Sequence, residues 1–214
     1  MTNDQAKRAG RCPRVIALFV AMIALGLVAD LATKWGAFRY IDDQPFVVNR
    51  GAVLRVLADD PSRIMTLVPE HKAVHAIPGV LDLRLVLNAG AVFGTGQGRR
   101  WMFIGFTSVI LVIAVVAFFR WTRANERWTH FALAMVISGG VGNLYDRIML
   151  GCVRDFIHPL PGVKFPFGLL GGREVWPYVS NVADALLLIG IAILTVKLWR
   201  SDSGKGAKSE PVGS

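Results

Sequence analysis

The stretch Ser138 to Pro159, S-G-G-V-G-N-L-Y-D-R-I-M-L-G-C-V-R-D-F-I-H-P, decides how the rest of the chain is read. It starts as an apolar helix rich in small residues and runs straight into Asn143, Asp146, Arg147 and Asp155. Two more polar clusters border apolar runs: Asn181 to Asp184, N-V-A-D, opens the last one, and Asp30 with Lys34 closes the first. Ionisable groups at membrane depth are costly, so residues of this kind point to function.

Around these clusters the chain is strongly apolar. Of its 214 residues 53% are hydrophobic, and the mean hydropathy is +0.47, which fits a small polytopic membrane protein built as one unit. The formal net charge of +9 sits mainly at the ends of apolar runs, the pattern of membrane-flanking charge and not of a nucleic-acid surface. Cys12 and Cys152 alone make no disulfide framework and no repeated metal-ligand spacing.

The fold expected is a mainly α membrane protein of a single domain, 1–214, with four transmembrane helices and a small β-containing segment outside the bilayer. The spans are placed at about 15–38, 101–119, 131–150 and 179–199, since about 20 apolar residues at 1.5 Å each cross the hydrocarbon. A cleavable signal peptide also begins with basic residues and an apolar run. Here the run is long enough to span, and it carries Asp30 and Lys34 where a small-residue cleavage site would stand.

Basic residues in the amino-terminal segment, in Arg120 to Arg127 and in Lys197 to Lys208 place both termini and that loop in the cytoplasm, with 39–100 and 151–178 outside. Arg99 and Arg100 oppose this rule, but they belong to a long outer segment in which charge counts for less. The polar tail 200–214 reads as disordered. Within 39–100, Val80 to Leu87 alternates as a strand, and Pro45, Pro61, Pro69 and Pro78 break the rest, so a small sheet is expected there. His71 and His75 have the spacing of a shared helical face but lack further ligands, so no metal site is read from them.

This topology puts Asp30, Asp146 and Asp184 near outer span ends, and Asp155 and Asn88 in outer segments beside them, all at one depth. Two carboxylates at a partly dehydrated site cannot both ionise cheaply; one keeps a proton and the other becomes a base. Such a pair can activate water against a peptide carbonyl and protonate the leaving nitrogen. There is no G-x-S-x-G elbow, and G-G-V-G-N at Gly139 to Asn143 lacks the preceding strand of a nucleotide loop. Asp30 and Lys34, four apart on one helix face, are either a structural ion pair or part of the active site.

At these residues the chain resembles the signal peptidase II family of bacterial inner-membrane aspartic peptidases. The resemblance runs from about residue 15 to 199 and rests on D-x-x-x-K at Asp30 to Lys34, N-x-G-A-x-F-G at Asn88 to Gly94, G-G-x-G-N-x-x-D-R at Gly139 to Arg147, G-x-V-x-D-F at Gly151 to Phe156, and N-x-A-D at Asn181 to Asp184. It implies Asp155 and Asp184 as the catalytic dyad, with Asp30, Lys34, Asn88, Gly90, Asn143, Asp146, Arg147 and Asn181 in supporting or substrate-binding roles.

It also implies a prolipoprotein substrate whose signal peptide is cut off just before a diacylglyceryl-modified cysteine. The enzyme would be a monomer in membrane lipid, working at the outer, periplasmic surface of the inner membrane without metal or organic cofactor. Two departures, a long segment between Lys34 and Asn88 and a Gly- and Pro-rich insert at Pro159 to Val175, bear on the outer cover and on substrate preference. A proton-relay or carrier protein is the rival reading, but it should spread carboxylates across the bilayer. A scaffold would not explain their clustering.

Overall fold

The computed structural model describes residues 7–90 and 98–206. In chain order the elements are α1 (Pro13–Tyr40), α2 (Arg50–Asp59), β1 (Val74–Ile77), β2 (Leu81–Asn88), α3 (Arg100–Trp121), α4 (Arg127–Met149), β3 (Val153–Pro159) and α5 (Val182–Gly206). Four of the five α-helices form a bundle in which α4 packs against α1, α3 and α5. The fifth, α2, lies outside the bundle, against the sheet.

That central position explains the composition of α4. Its small residues let neighbours approach closely, as at helix interfaces in membranes. A Cβ on Gly139 would run into the Ala183 carbonyl oxygen of α5, and one on Gly142 would run into the Asp30 carboxylate of α1. The glycines of G-G-V-G-N therefore serve helix packing. Three helices, Pro13–Tyr40, Arg100–Trp121 and Val182–Arg200, are long and apolar enough to cross a membrane by length and composition. The fourth expected span, α4, has 23 residues, about 34 Å at 1.5 Å per residue. It is long enough, but its Ser, Gly, Asn, Asp and Arg make it less apolar.

At one end of the bundle the amino-terminal segment is tied to the α3–α4 connection through Ala9 N–H to Thr122 O and Ala124 N–H to Lys7 O. Lys197 of α5 pairs with Glu126 at the same end. The sheet lies at the opposite end. Its order is β1-β2-β3, antiparallel throughout, so segments 39–100 and 151–178 contribute to one sheet with β2 in the middle. Leu85 and Leu87 of β2 pack with Phe38 of α1, Val53 of α2 and Ile64 in a second apolar core.

Several expectations change here. The strand expected at Val80 to Leu87 is observed at Leu81–Asn88. The segment 39–100 contains more than a sheet, since α2 is a helix capped by the Asn49 side chain on Ala52 N–H at 3.0 Å, and Pro61–Leu67 is a 3-10 turn. His71 and His75 share no helix: His71 lies in the stretch before β1 and His75 within it, paired with Asp82. The last helix continues through Gly206, beyond the expected start of the tail, and 207–214 lie outside the described residues.

The close approach of α4 to α1 gives a direct test. Gly142→Ala should lower the midpoint of thermal unfolding in detergent, by roughly 1–3 kcal/mol of stability, because the new methyl forces the Asp30 carboxylate aside. Gly105→Ala, inside α3 where a Cβ meets nothing within 4 Å, is the control and should not lower the midpoint, and should raise it slightly through its better helix propensity.

Candidate active site

The site is assembled where the N-terminus of α5 meets α4, α1 and the sheet. Asn181 immediately precedes α5 and acts as its cap. Its Oδ1 accepts from Asp184 N–H at 3.0 Å, and Asp184 Oδ2 accepts from Asn181 N–H at 3.2 Å. This reciprocal capping box satisfies free N–H groups of the first turn, and the positive end of the helix favours the carboxylate there. N-x-A-D is thus a helix start whose fourth residue is an acid held in place. Asp30 Oδ1 accepts from the next free donor, Ala183 N–H, at 2.9 Å.

Because Asn181 Oδ1 is committed to the cap, its Nδ2 turns outward and donates to Asp155 Oδ1 at 2.6 Å. A similar argument orients Asn143. Lys34 Nζ can only donate, so the Asn143 atom 3.0 Å from it is the oxygen, and Nδ2 faces Asp184 Oδ1 at 2.8 Å. The two amides also touch, Asn181 Nδ2 to Asn143 Oδ1 at 3.2 Å. Asp155 Oδ2 accepts from Asn88 Nδ2 at 2.9 Å. Each oxygen of Asp155 and of Asp184 therefore has a fixed donor, and one pair of hydrogen-bonded asparagines links the two acids.

Asp155 lies on β3, opposite Val86; it is 1% exposed. Burial first, and then the negative charge of Asp184, raise its carboxyl to about 7, against the opposing pull of Asn88 and Asn181.

Behind the two carboxylates lies a buried charge cluster. Lys34 Nζ is 2.9 Å from Asp30 Oδ2 and 3.6 Å from Asp146 Oδ2, with all three residues at 0% exposure. Arg154 closes the set, bonding Asp146 Oδ1 at 2.8 Å through Nη2 and Asp146 Oδ2 at 3.1 Å through its backbone N–H. Two cations balance two carboxylates, as buried ions require. Of the alternatives left open for Asp30 and Lys34, the geometry shows an ion pair that touches the site through Asn143 and Ala183. Arg154 was not singled out from the sequence, although its place next to Asp155 was a usable signal.

Arg147 lies beside the dyad, donating to Gly90 O at 2.9 Å, and Gly90 N–H in turn donates to Asn88 Oδ1 at 2.9 Å. The structure thus brings together every site residue read from the sequence: Asp30, Lys34, Asn88, Gly90, Asn143, Asp146, Arg147, Asp155, Asn181 and Asp184. Ala91 to Gly94, the rest of N-x-G-A-x-F-G, lie outside the described residues. Arg100, whose charge opposed the topology rule, donates to Arg147 O at 2.6 Å and Ile148 O at 3.1 Å and so caps the C-terminus of α4. Cys152 is buried beside Asp146, and burial pushes its thiol up to about 12.

Comparison with known proteins identifies the family. The family model described as Signal peptidase (SPase) II matches residues 22–200, and the chain belongs to that family. It is 34% identical over 127 residues to the lipoprotein signal peptidase of Streptococcus pyogenes serotype M6, covering 59% of this chain and 74% of that protein. With the lipoprotein signal peptidase of Desulfitobacterium hafniense strain DSM 10664 / DCB-2 it shares 30% over 132 residues, 61% of this chain and 77% of that protein. A bacterial membrane enzyme solved by the in meso method at 2.3 Å shares the fold, with a TM-score of 0.63 at 23% identity over 92% of this chain and 96% of that one. The protein is a membrane protease of lipoprotein processing.

Asp146 tests the division between dyad and support. Asp146→Asn should lower the unfolding midpoint and the activity together, since Lys34 and Arg154 lose the charge that balances them, a loss on the order of 3 kcal/mol for a buried pair. A variant as stable as the parent yet inactive would place Asp146 among the reacting groups.

Proposed function

We propose that this chain removes the signal peptide from prolipoproteins by cutting just before a cysteine that carries a diacylglyceryl thioether, and that Asp155 and Asp184 perform the hydrolysis. The observation that supports this most is the set of three asparagines, Asn88, Asn143 and Asn181, which holds two carboxylates on all four oxygens at one site. In this reading α4 is the fourth span, both termini face the cytoplasm, and the sheet stands at the outer surface of the inner membrane. The enzyme acts as a monomer.

The deeply buried Asp155 keeps the shared proton and offers it to the substrate carbonyl. The ionised Asp184 takes a proton from a water, whose oxygen attacks the carbonyl carbon. The tetrahedral intermediate collapses when the leaving nitrogen receives a proton from the dyad and the C–N bond breaks. Water and two carboxylates suffice, so no metal is needed. The lipid anchor fixes the depth of the scissile bond, because each buried CH₂ contributes about 0.8 kcal/mol.

Mass analysis of a diacylglyceryl-modified prolipoprotein incubated with the purified protein should show the released signal peptide, with EDTA or without. The unmodified precursor should stay intact. Asp155→Asn and Asp184→Asn should each lose cleavage, on the order of a thousandfold or more, with unfolding midpoints near that of the parent. Retained turnover in either variant, or an EDTA loss restored by zinc, would overturn the reading.

The pH profile follows from the proton on Asp155. Its carboxyl is raised to about 7, so the dyad keeps its proton below that pH and loses it as pH rises through it; kcat/KM should fall along an alkaline limb near neutrality. The Asn88 hydrogen bond lowers this value, so Asn88→Ala should move the limb to higher pH while reducing the rate. A limb that stays in place or moves down would take the proton away from Asp155.

A further inference from the structure

The backbone of β2 divides its hydrogen-bonding groups between two edges. Across the antiparallel pairing with β3, Val86 faces Asp155, Leu87 faces Arg154 and Asn88 faces Val153. On β3 the Arg154 N–H is taken by Asp146 and the Phe156 N–H by the Ser180 carbonyl. Those two residues therefore turn their backbone away from β2, and the pairs that exchange backbone bonds are those of Asp155 and Val153.

Leu87, opposite Arg154, turns its N–H and C=O to the other edge. Leu85, two residues away, does the same, and its N–H is taken by His71 Nε2 at 2.8 Å. On that edge β1 pairs with Leu81 to Leu83 and no further. Among the described residues no strand covers this edge of β2 from Arg84 to Asn88, and its one filled donor is the Leu85 N–H on His71.

Along this uncovered edge lies a cavity of about 660 Å³, walled by Met65, Val68 and Glu70 on one side and Tyr178 on another, and reaching Asn88 and Asp155. Arg84 lines it too, and the Arg84 Nε is buried without a hydrogen-bond partner. A buried donor left without an acceptor calls for one.

We propose that the cavity receives the substrate chain on the carboxyl side of the cut, as an extended strand added to β2 from Asn88 toward Arg84. This rests on the peptidase reading above and names the recognition of that same site. Strand addition at an open edge draws its affinity from main-chain bonds and its selectivity from pockets at alternate side chains.

The direction follows from the chemistry of the substrate. Its signal helix and acyl chains are apolar and stay with the helices. The Asn88 end of β2 adjoins α4 through the Gly90 to Arg147 bond, whereas Leu81 pairs with Pro159 at the far end. The polar chain that leaves the bilayer therefore passes Asp155 first and Arg84 later, antiparallel to β2. At about 3.4 Å per residue the edge accommodates roughly four residues. Leu87 N–H and the carbonyls of Leu85 and Leu87 pair with alternate residues of that chain, and Arg84 donates to a carbonyl or carboxylate at its end.

The test uses the intact enzyme and synthetic diacylglyceryl precursors, N-methylated one at a time at the four residues that follow the lipid-modified cysteine. Strand pairing predicts an alternating pattern: kcat/KM falls about tenfold or more at every second position and little at those between, because only alternate N–H groups point at β2. Arg84→Met should in addition remove any advantage of an acidic residue at the outermost of these positions. Equal tolerance at all four, or equal loss at all four, overturns the strand while leaving the peptidase reading in place. An unmethylated parent that is not cut overturns the peptidase reading and this inference with it.

Discussion

A lysine ammonium wholly removed from water must be compensated, and Lys34 donates to Asp30 and Asn143 and has the Asp146 carboxylate 3.6 Å away as a second counter-charge. Each partner then does something at the dyad. Asp30 closes a free N–H at the start of α5, Asn143 is forced to aim its amide nitrogen at Asp184, and Asp146 anchors Arg154 beside Asp155. One buried charge on α1 thereby fixes residues on α4, α5 and β3. Because unpaired charge in such a place is expensive, the cluster is balanced and its members are not interchangeable.

The second device is the helix start. Placing an acid as the fourth residue of a capping box gives it both the favourable end of the helix dipole and two fixed donors, while Asp155 sits on a strand buried among neighbours. Two chemically identical carboxylates thus have unlike surroundings. In the proposed mechanism that difference lets one hold a proton while the other acts as a base.

Much of this was legible in the sequence, and the misses have particular causes. Charged residues at the ends of apolar runs announced the site, and the alternation of Val80 to Leu87 announced β2. The strand carrying Asp155 was not visible because V-R-D-F-I-H-P buries both Asp155 and Phe156 and so lacks simple alternation. Helix α2 hides among prolines, although Asn49 with Val53, Val56 and Leu57 carries its cap and apolar spacing. Arg100 looked like a topological exception because its partner, the end of α4, is 47 residues away. The role of His71 as an acceptor for Leu85 N–H could not be read from spacing at all.

The central claim is that the dyad activates a water and does not attack the substrate itself. Single-turnover cleavage of a diacylglyceryl-modified precursor in ¹⁸O-labelled water, with enzyme in excess, tests it most directly by mass analysis of both partners. The account predicts one ¹⁸O in the new carboxylate of the signal peptide and none in the peptide of the enzyme that contains Asp155 or Asp184. An unlabelled product together with label in either aspartate would mean a covalent acyl-enzyme and would contradict it.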